Sequence, residues 1–152
     1  MITHLKIGDS APVINSVDQN GDVITLEQFK GKKVVLYFYP KDMTPGCTLQ
    51  SCNLRDNYRS LLESGYVVLG CSADSPLRHI KFITKHDLPF PLISDEPRAV
   101  IHSYGVWGPK KFMGKEYDGI HRTTFIIDGE GIIEEIIEKV NTKEHTSQIL
   151  KK

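Results

Sequence analysis

Val34-Val-Leu-Tyr-Phe-Tyr39, followed at once by Pro40-Lys-Asp-Met-Thr-Pro-Gly-Cys47, is the stretch on which the fold turns. An unbroken run of β-branched, aliphatic and aromatic residues has the composition of a strand buried on both faces, and it breaks at Pro40, which has no N–H for a ladder. The polar loop Lys41–Gly46 then leads into a helix expected from about Pro45 to Glu63, its end marked by Gly65. Tyr66–Cys71 repeats the buried-strand pattern, and Ser75-Pro76 opens a second helix to about Asp87. Further on, Phe90–Ile93 reads as a short strand and Pro97–Tyr104 as a third helix. Thr123–Ile127 and Ile132–Glu138 read as a hairpin across Asp128-Gly-Glu-Gly131, and Lys143–Lys152 as a terminal helix. Upstream, Asn20-Gly21 between Val13–Val17 and Val23–Ile24 predicts a tight hairpin, and Thr25–Gln28 offers a capping box for a short helix ending near Gly31. Strands that alternate with helices and close on a hairpin describe an α/β protein, with a central mixed β-sheet flanked by helices and an N-terminal β-hairpin extension.

The chain has 152 residues and a mass of 17.2 kDa, enough to bury roughly 70% of its unfolded surface around one core. With no linker, repeat or low-complexity stretch, a single domain over 1–152 is expected. Lys+Arg and Asp+Glu both count 19, so the formal charge is zero, which argues against a nucleic-acid or anionic-membrane partner. The longest apolar runs are strand-sized, far short of the roughly 20 residues of a membrane span. Met1–Asp9 lacks the basic start and apolar run of a secretory signal, so a cytoplasmic location is expected. Three cysteines are an odd number and a poor disulfide scaffold in that reducing compartment, where they are more often buried, metal-binding or catalytic.

Cys47 falls just beyond the carboxyl end of a predicted strand, where open α/β sheets bind ligands, and in the first turn of the following helix. With Thr44 as N-cap and Pro45 as first helical residue, free N–H groups and the positive end of the helix dipole favour a thiolate there. Gly46 carries no side chain to block the sulfur. The bland alternative is a small buried hydrophobe. Cys52 lies five residues on. A zinc site is disfavoured because the six His residues are scattered singly, and a thioredoxin-type dithiol would need two intervening residues instead of four. What remains is an oxidant-reactive Cys47 with Cys52 near enough to resolve the product, or Cys52 as an inert helix residue.

Pro40-Lys-Asp-Met-Thr-Pro-Gly-Cys47 resembles the peroxiredoxin active-site motif Pro-x-x-x-Thr/Ser-x-x-Cys, and Thr48-Leu-Gln-Ser-Cys52 is similar to the bacterioferritin comigratory protein type, the Q class. Asp42–Asn57, Leu92–Glu96, Tyr104–Met113 and Tyr117–Asp128 follow in family order, so the resemblance covers nearly the whole chain. It implies a thioredoxin-like fold, Cys47 as peroxidatic cysteine, Thr44 and Arg122 as its polar partners, Pro40 as the loop-shaping residue and Cys52 as the resolving cysteine. The implied substrates are hydrogen peroxide and organic hydroperoxides, and the implied reductant is thioredoxin or a similar dithiol. No metal, haem or flavin is implied, and a monomer is expected. Two departures stand out: Met43 occupies a position where an aromatic is usual, and Cys71, on the next strand, lies outside the motif.

Those roles fit the chemistry, since cleaving a peroxide needs a reactive thiolate and donors aimed at both oxygens. Arg122 is always charged and carries five donors, and the Thr44 hydroxyl can accept or donate. Without the resemblance, Arg122 would read as a surface ion-pair residue and Thr44 as a plain helix cap. Trp107, Phe112 and Met113 fall in a Gly-punctuated segment, Gly105–Gly119, read as a long loop, and stand outside the catalytic set, while His121 reads as structural. Two rivals differ in class. One is a non-enzymatic redox-sensing or interaction module switched by a Cys47–Cys52 disulfide, and the other is a dithiol–disulfide exchange protein. Residues five apart on a helix have Cα atoms about 8.6 Å apart, beyond the roughly 7 Å a disulfide tolerates. A Cys47–Cys52 bridge therefore requires the helix to unwind from about Pro45 to Leu54.

Overall fold

The run Val34–Tyr39 lies at the centre of the sheet, as its composition demands, and every residue of it is at most 1% exposed. In the computed structural model, which describes residues 2–151, the chain begins with β1 (Asn15–Val17), β2 (Val23–Thr25), a 3-10 turn at Leu26–Phe29 and β3 (Lys33–Phe38). There follow α1 (Pro45–Asp56), α2 (Tyr58–Glu63), β4 (Tyr66–Ser72), α3 (Pro76–His86), β5 (Leu92–Ser94) and α4 (Ala99–Ser103). The last elements are β6 (Trp107–Phe112), β7 (Lys115–Ile120), β8 (Thr123–Ile127), β9 (Ile133–Ile137) and α5 (His145–Leu150). The main sheet runs β5-β4-β3-β8-β9, with β3, β4 and β5 parallel and β8 and β9 antiparallel to their neighbours. β1 and β2 form the N-terminal hairpin, so the mixed sheet and the extension are both present.

Alternation along β3 divides the core in two. Val34, Leu36 and Phe38 point to one face, where α4, Tyr104, Phe125 and Cys71 pack against them. Val35 and Tyr37, with Tyr39 beyond the strand end, point to the other, under α1, α2, α3 and α5, and there they meet Cys47, Leu54, Leu61, Phe82 and Ile149. Full burial of such side chains contributes about 1.5–3 kcal/mol each. Tyr39 N–H still reaches Cys71 C=O at 3.1 Å, and Pro40 then ends the ladder.

Three segments differ from the sequence reading. The helix expected over Pro45–Glu63 is broken at Asn57 (φ −114°, ψ 12°), whose side-chain amide donates to Asn53 C=O at 2.8 Å and competes with the helical ladder for that acceptor. The segment read as a loop, Gly105–Gly119, contains most of the two-stranded ribbon β6–β7, closed by Met113 (φ 52°) and Gly114 (φ 80°) in the two-residue turn that suits a hairpin. The helix expected at Pro97–Tyr104 is shortened to Ala99–Ser103, because Arg98 is left-handed (φ 63°).

Candidate active site

β3 delivers the chain to the site, Pro40 turns it out of the sheet, and α1 begins at Pro45. The first α1 hydrogen bond runs from Thr48 N–H to Thr44 C=O at 2.9 Å, which leaves the earlier N–H groups, that of Cys47 included, without helical partners. Thr44 is the N-cap residue by conformation (φ −80°, ψ 151°), but its side chain caps nothing. Its hydroxyl instead donates to Lys41 C=O at 2.8 Å, leaving the oxygen lone pairs available.

Cys47 is fully buried on the α1 side of the sheet. Arg122, on the short link between β7 and β8, directs Nη2 to the Cys47 Sγ at 3.3 Å and Nη1 to Gln50 Oε1 at 2.6 Å. Gly46 makes that approach possible: a Cβ there would stand 3.2 Å from Arg122 Nη2. The missing side chain thus makes room for the guanidinium that reaches the sulfur. Arg122 also borders a cleft of about 580 Å³ lined by Ile2, Lys110, His121, Thr123 and Glu138. Burial lowers the Lys110 ammonium below its usual range and the Arg122 charge adds to that, while Cys47 acts in the opposite sense.

Cys52 is half-buried on α1 and belongs to neither core layer, so the two α1 cysteines face different sides of the helix. Cys71 is buried on the opposite face of the sheet from Cys47, and burial pushes its thiol pKa well up. All three cysteines are free thiols. His121 donates Nε2–H to Pro109 C=O at 2.9 Å and its backbone N–H to Val106 C=O at 2.7 Å, which tie the ribbon to the link carrying Arg122.

Several participants were not singled out from sequence. Gln50 shares Arg122 with the sulfur, and its spacing of three from Cys47 on a helix was the available signal. Asp42, Asp74 and His79 bring three ligand-type atoms within 4.8 Å of one another, all buried. Their donor and acceptor atoms are already engaged by Tyr39, Ser72, Arg78 and the Asp42 N–H, so the cluster is an ion-pair network with no vacant ligand set.

The site therefore sets a buried cysteine at a helix start under an arginine, on a sheet with helices on both faces. Residues 7–136 match the AhpC/TSA family. The chain is 49% identical over 146 residues to peroxiredoxin Bcp of Escherichia coli strain K12, covering 96% of this chain and 94% of that one. It is 44% identical to peroxiredoxin Bcp of Bacillus subtilis strain 168, covering 96% and 93%. Among solved structures, peroxiredoxin Q of Xanthomonas campestris superposes with a TM-score of 0.87 at 31% identity, covering 99% of this chain and 96% of that one. Peroxidoxin BcpB of Mycobacterium tuberculosis superposes with a TM-score of 0.86 at 31% identity, covering 97% and 96%. The chain belongs to the AhpC/TSA family, in its Bcp or peroxiredoxin Q branch, and is a thiol-dependent peroxidase. Among the described residues no helix is long and apolar enough to cross a membrane.

Proposed function

We propose that Cys47 is the peroxidatic cysteine and Cys52 the cysteine that resolves its oxidised form. The observation that carries this reading is the 3.3 Å contact between Arg122 Nη2 and Cys47 Sγ at the start of α1. The guanidinium and the unpartnered helix N–H groups favour the thiolate, which attacks one peroxide oxygen. An S–O bond forms and the O–O bond breaks, and the departing hydroxide or alkoxide takes a proton to leave as water or alcohol. Arg122 is placed to hold that oxygen as charge grows on it, with the Thr44 hydroxyl as a second polar partner and Pro40 shaping the loop between them. Hydrogen peroxide and organic hydroperoxides are the substrates.

The Cys52 thiol then attacks the Cys47 sulfenic sulfur and displaces water, leaving a disulfide that thioredoxin or a similar dithiol reduces. Cys71 is a poor rival for the role, since the sheet lies between it and Cys47. Because Cys47 and Cys52 are about 8.6 Å apart at Cα while α1 is helical, the front of α1 must unwind before they meet. Three hydrogen bonds set the far limit: Asn53 Nδ2 to Lys143 C=O and Thr146 N–H to Asn53 Oδ1, both 2.8 Å, and Thr146 Oγ1 to Asn53 C=O, 3.3 Å. Both cysteines lie in one chain, so a monomer completes the cycle, and the reducing cytoplasm, where dithiol reductants are kept, is its location.

The test is a peptide map after one equivalent of peroxide. Wild type is expected to yield a Cys47–Cys52 disulfide, and Cys52→Ser a Cys47 sulfenic acid trapped by a dimedone-type reagent, with poor thioredoxin-linked turnover. Full turnover in Cys52→Ser, or a Cys47–Cys71 bridge in wild type, would refute the assignment of Cys52.

A further inference from the structure

Asp42 lies five residues before Cys47 in the loop that presents Thr44, and it is only 1% exposed. A buried carboxylate is strongly disfavoured unless it is paired and hydrogen-bonded, and this one is held at every polar atom. Oδ1 accepts from the Tyr39 hydroxyl at 2.5 Å, and Oδ2 meets His79 Nδ1 at 2.6 Å. Its N–H donates to Asp74 Oδ2 at 2.8 Å, and its carbonyl accepts from Arg78 Nη2 at 3.2 Å. Asp74 is itself fixed by the Ser72 hydroxyl at 2.7 Å and Arg78 Nε at 3.0 Å. His79 is fully buried, and its Nε2 meets Ile93 C=O at 3.0 Å. A carbonyl only accepts, so Nε2 is the donor to Ile93, and the ring is fixed from both of its nitrogens.

The residue after this clamp shows what it holds. Met43 has φ 69°, a left-handed conformation that is strained for a non-glycine residue and persists only when its surroundings over-determine it. Thr44 follows in extended conformation, with its hydroxyl on Lys41 C=O, and α1 starts one residue later. The strained turn thus joins a residue pinned to α3 and β4 to the residue that faces the peroxide.

We propose that Asp42 and His79, with Arg78 and Asp74 in support, are positioning residues that hold the Met43–Thr44 turn in the geometry needed for the peroxide step. The inference rests on the assignment of Cys47 and Thr44 above. It separates two functions of the site: Arg122 and the α1 start make the thiolate, and the clamp aligns the loop against the substrate. Loosening the clamp should therefore slow reaction with peroxide without slowing alkylation of the same sulfur, which needs no oxygen held in line.

The experiment measures two rates on the full chain, Cys47 oxidation by hydrogen peroxide and Cys47 alkylation by iodoacetamide, the latter counted by peptide mass spectrometry. Asp42→Ala is expected to lower the peroxide rate at least tenfold with alkylation unchanged or faster. Asp42→Asn should recover most of the loss, because its amide oxygen accepts from Tyr39 and its N–H donates to a neutral His79 Nδ1. Should Asp42→Ala fail to fold, Arg78→Met supplies the second reading, since that side chain is 45% exposed and is not part of the core. It should lower the peroxide rate about threefold while alkylation holds. A parallel fall of both rates, or an unchanged peroxide rate, would overturn the clamp. Absence of any Cys47 oxidation in wild type would instead overturn the site assignment beneath it.

Discussion

α1 and α3 both start with proline after a strand, yet they are held in opposite ways. α3 has a side-chain cap, Ser75 Oγ accepting from Arg78 N–H at 3.3 Å, and it ends in a left-handed Asp87 (φ 50°) with Leu88 N–H on Ile83 C=O. Lys85 sits in its last turn, where a cation suits the dipole, and Phe82 anchors it in the core. α1 lacks a side-chain cap, the kind of contact that contributes about 1 kcal/mol elsewhere. The face it buries is Cys47, Gln50, Ser51 and Leu54, of which only Leu54 is a large aliphatic residue. Gln50 Nε2 is buried without a hydrogen-bond partner among the described residues, a further cost to the folded helix. Its front half is held by polar contacts, Gln50 to Arg122 and Ser51 to the buried Tyr37 hydroxyl at 2.9 Å. From Asn53 onward, hydrogen bonds to Lys143 and to Thr146 of α5 tie it down, and Leu54 adds aliphatic packing. The contrast teaches that the front of α1 is secured by fewer apolar and capping contacts than α3, which is the difference the proposed opening of α1 and the proposed bracing by α3 both require.

The largest effect should come from the reactive sulfur. Cys47→Ser is expected to abolish peroxide consumption in a coupled NADPH assay with thioredoxin and its reductase, and residual steady turnover would move the chemistry off α1. Next is the hold on the far end of α1, for which α5 depends on His145. This ring accepts from Thr124 Oγ1 through Nε2 and meets Gln148 Oε1 through Nδ1, both at 2.8 Å. Burial pushes its pKa from 6.5 down to about 4. The folded protein therefore favours the neutral ring. Its contribution is complete above pH 6.5 and falls as pH drops toward 4, where the unfolded chain binds a proton that the folded one refuses. The loss should approach roughly 3 kcal/mol, read as a drop in urea midpoint between pH 7.5 and pH 4.5 that is flattened in His145→Gln. An equal drop in that variant would remove His145 from the hold on α5.

At the front of α1, Arg122→Lys should lower the peroxide rate at least about tenfold, or 1.4 kcal/mol, because an ammonium cannot span both the sulfur and Gln50. A rate equal to wild type in a stopped-flow measurement would show that the fork is not needed. The smallest effect belongs to the other face of the sheet. Cys71→Ala should keep full turnover and cost on the order of 1 kcal/mol in a denaturant titration, and a loss of turnover would bring Cys71 into the redox cycle.

Legibility followed burial. β3 and β4 were readable because strands covered on both faces leave continuous apolar runs, and the Asn20-Gly21 turn because it carries its own chemistry. The β6–β7 ribbon was not, since most of its residues are exposed and Gly108, Pro109, Gly114 and Gly119 read as loop punctuation. The break at Asn57 was hidden because it is made by a side chain reaching back to Asn53, with no Gly or Pro to mark it. Within the site, the cysteines and Thr44 share one local motif, and Arg122 was found through the resemblance alone. Asp42 and His79 stand 37 residues apart, and their contact depends on how α3 crosses the sheet, which no local pattern encodes.

The opening of α1 is tested most directly by amide hydrogen exchange across Gly46–Leu54, compared between the reduced protein and a form whose Cys47–Cys52 disulfide has been verified by mass spectrometry. Protection should fall in the disulfide form within that segment, while α3 and the central strands exchange as before. Equal protection of Gly46–Leu54 in the two forms would contradict the opening, because it would mean that the two cysteines are bridged without the front of α1 unwinding.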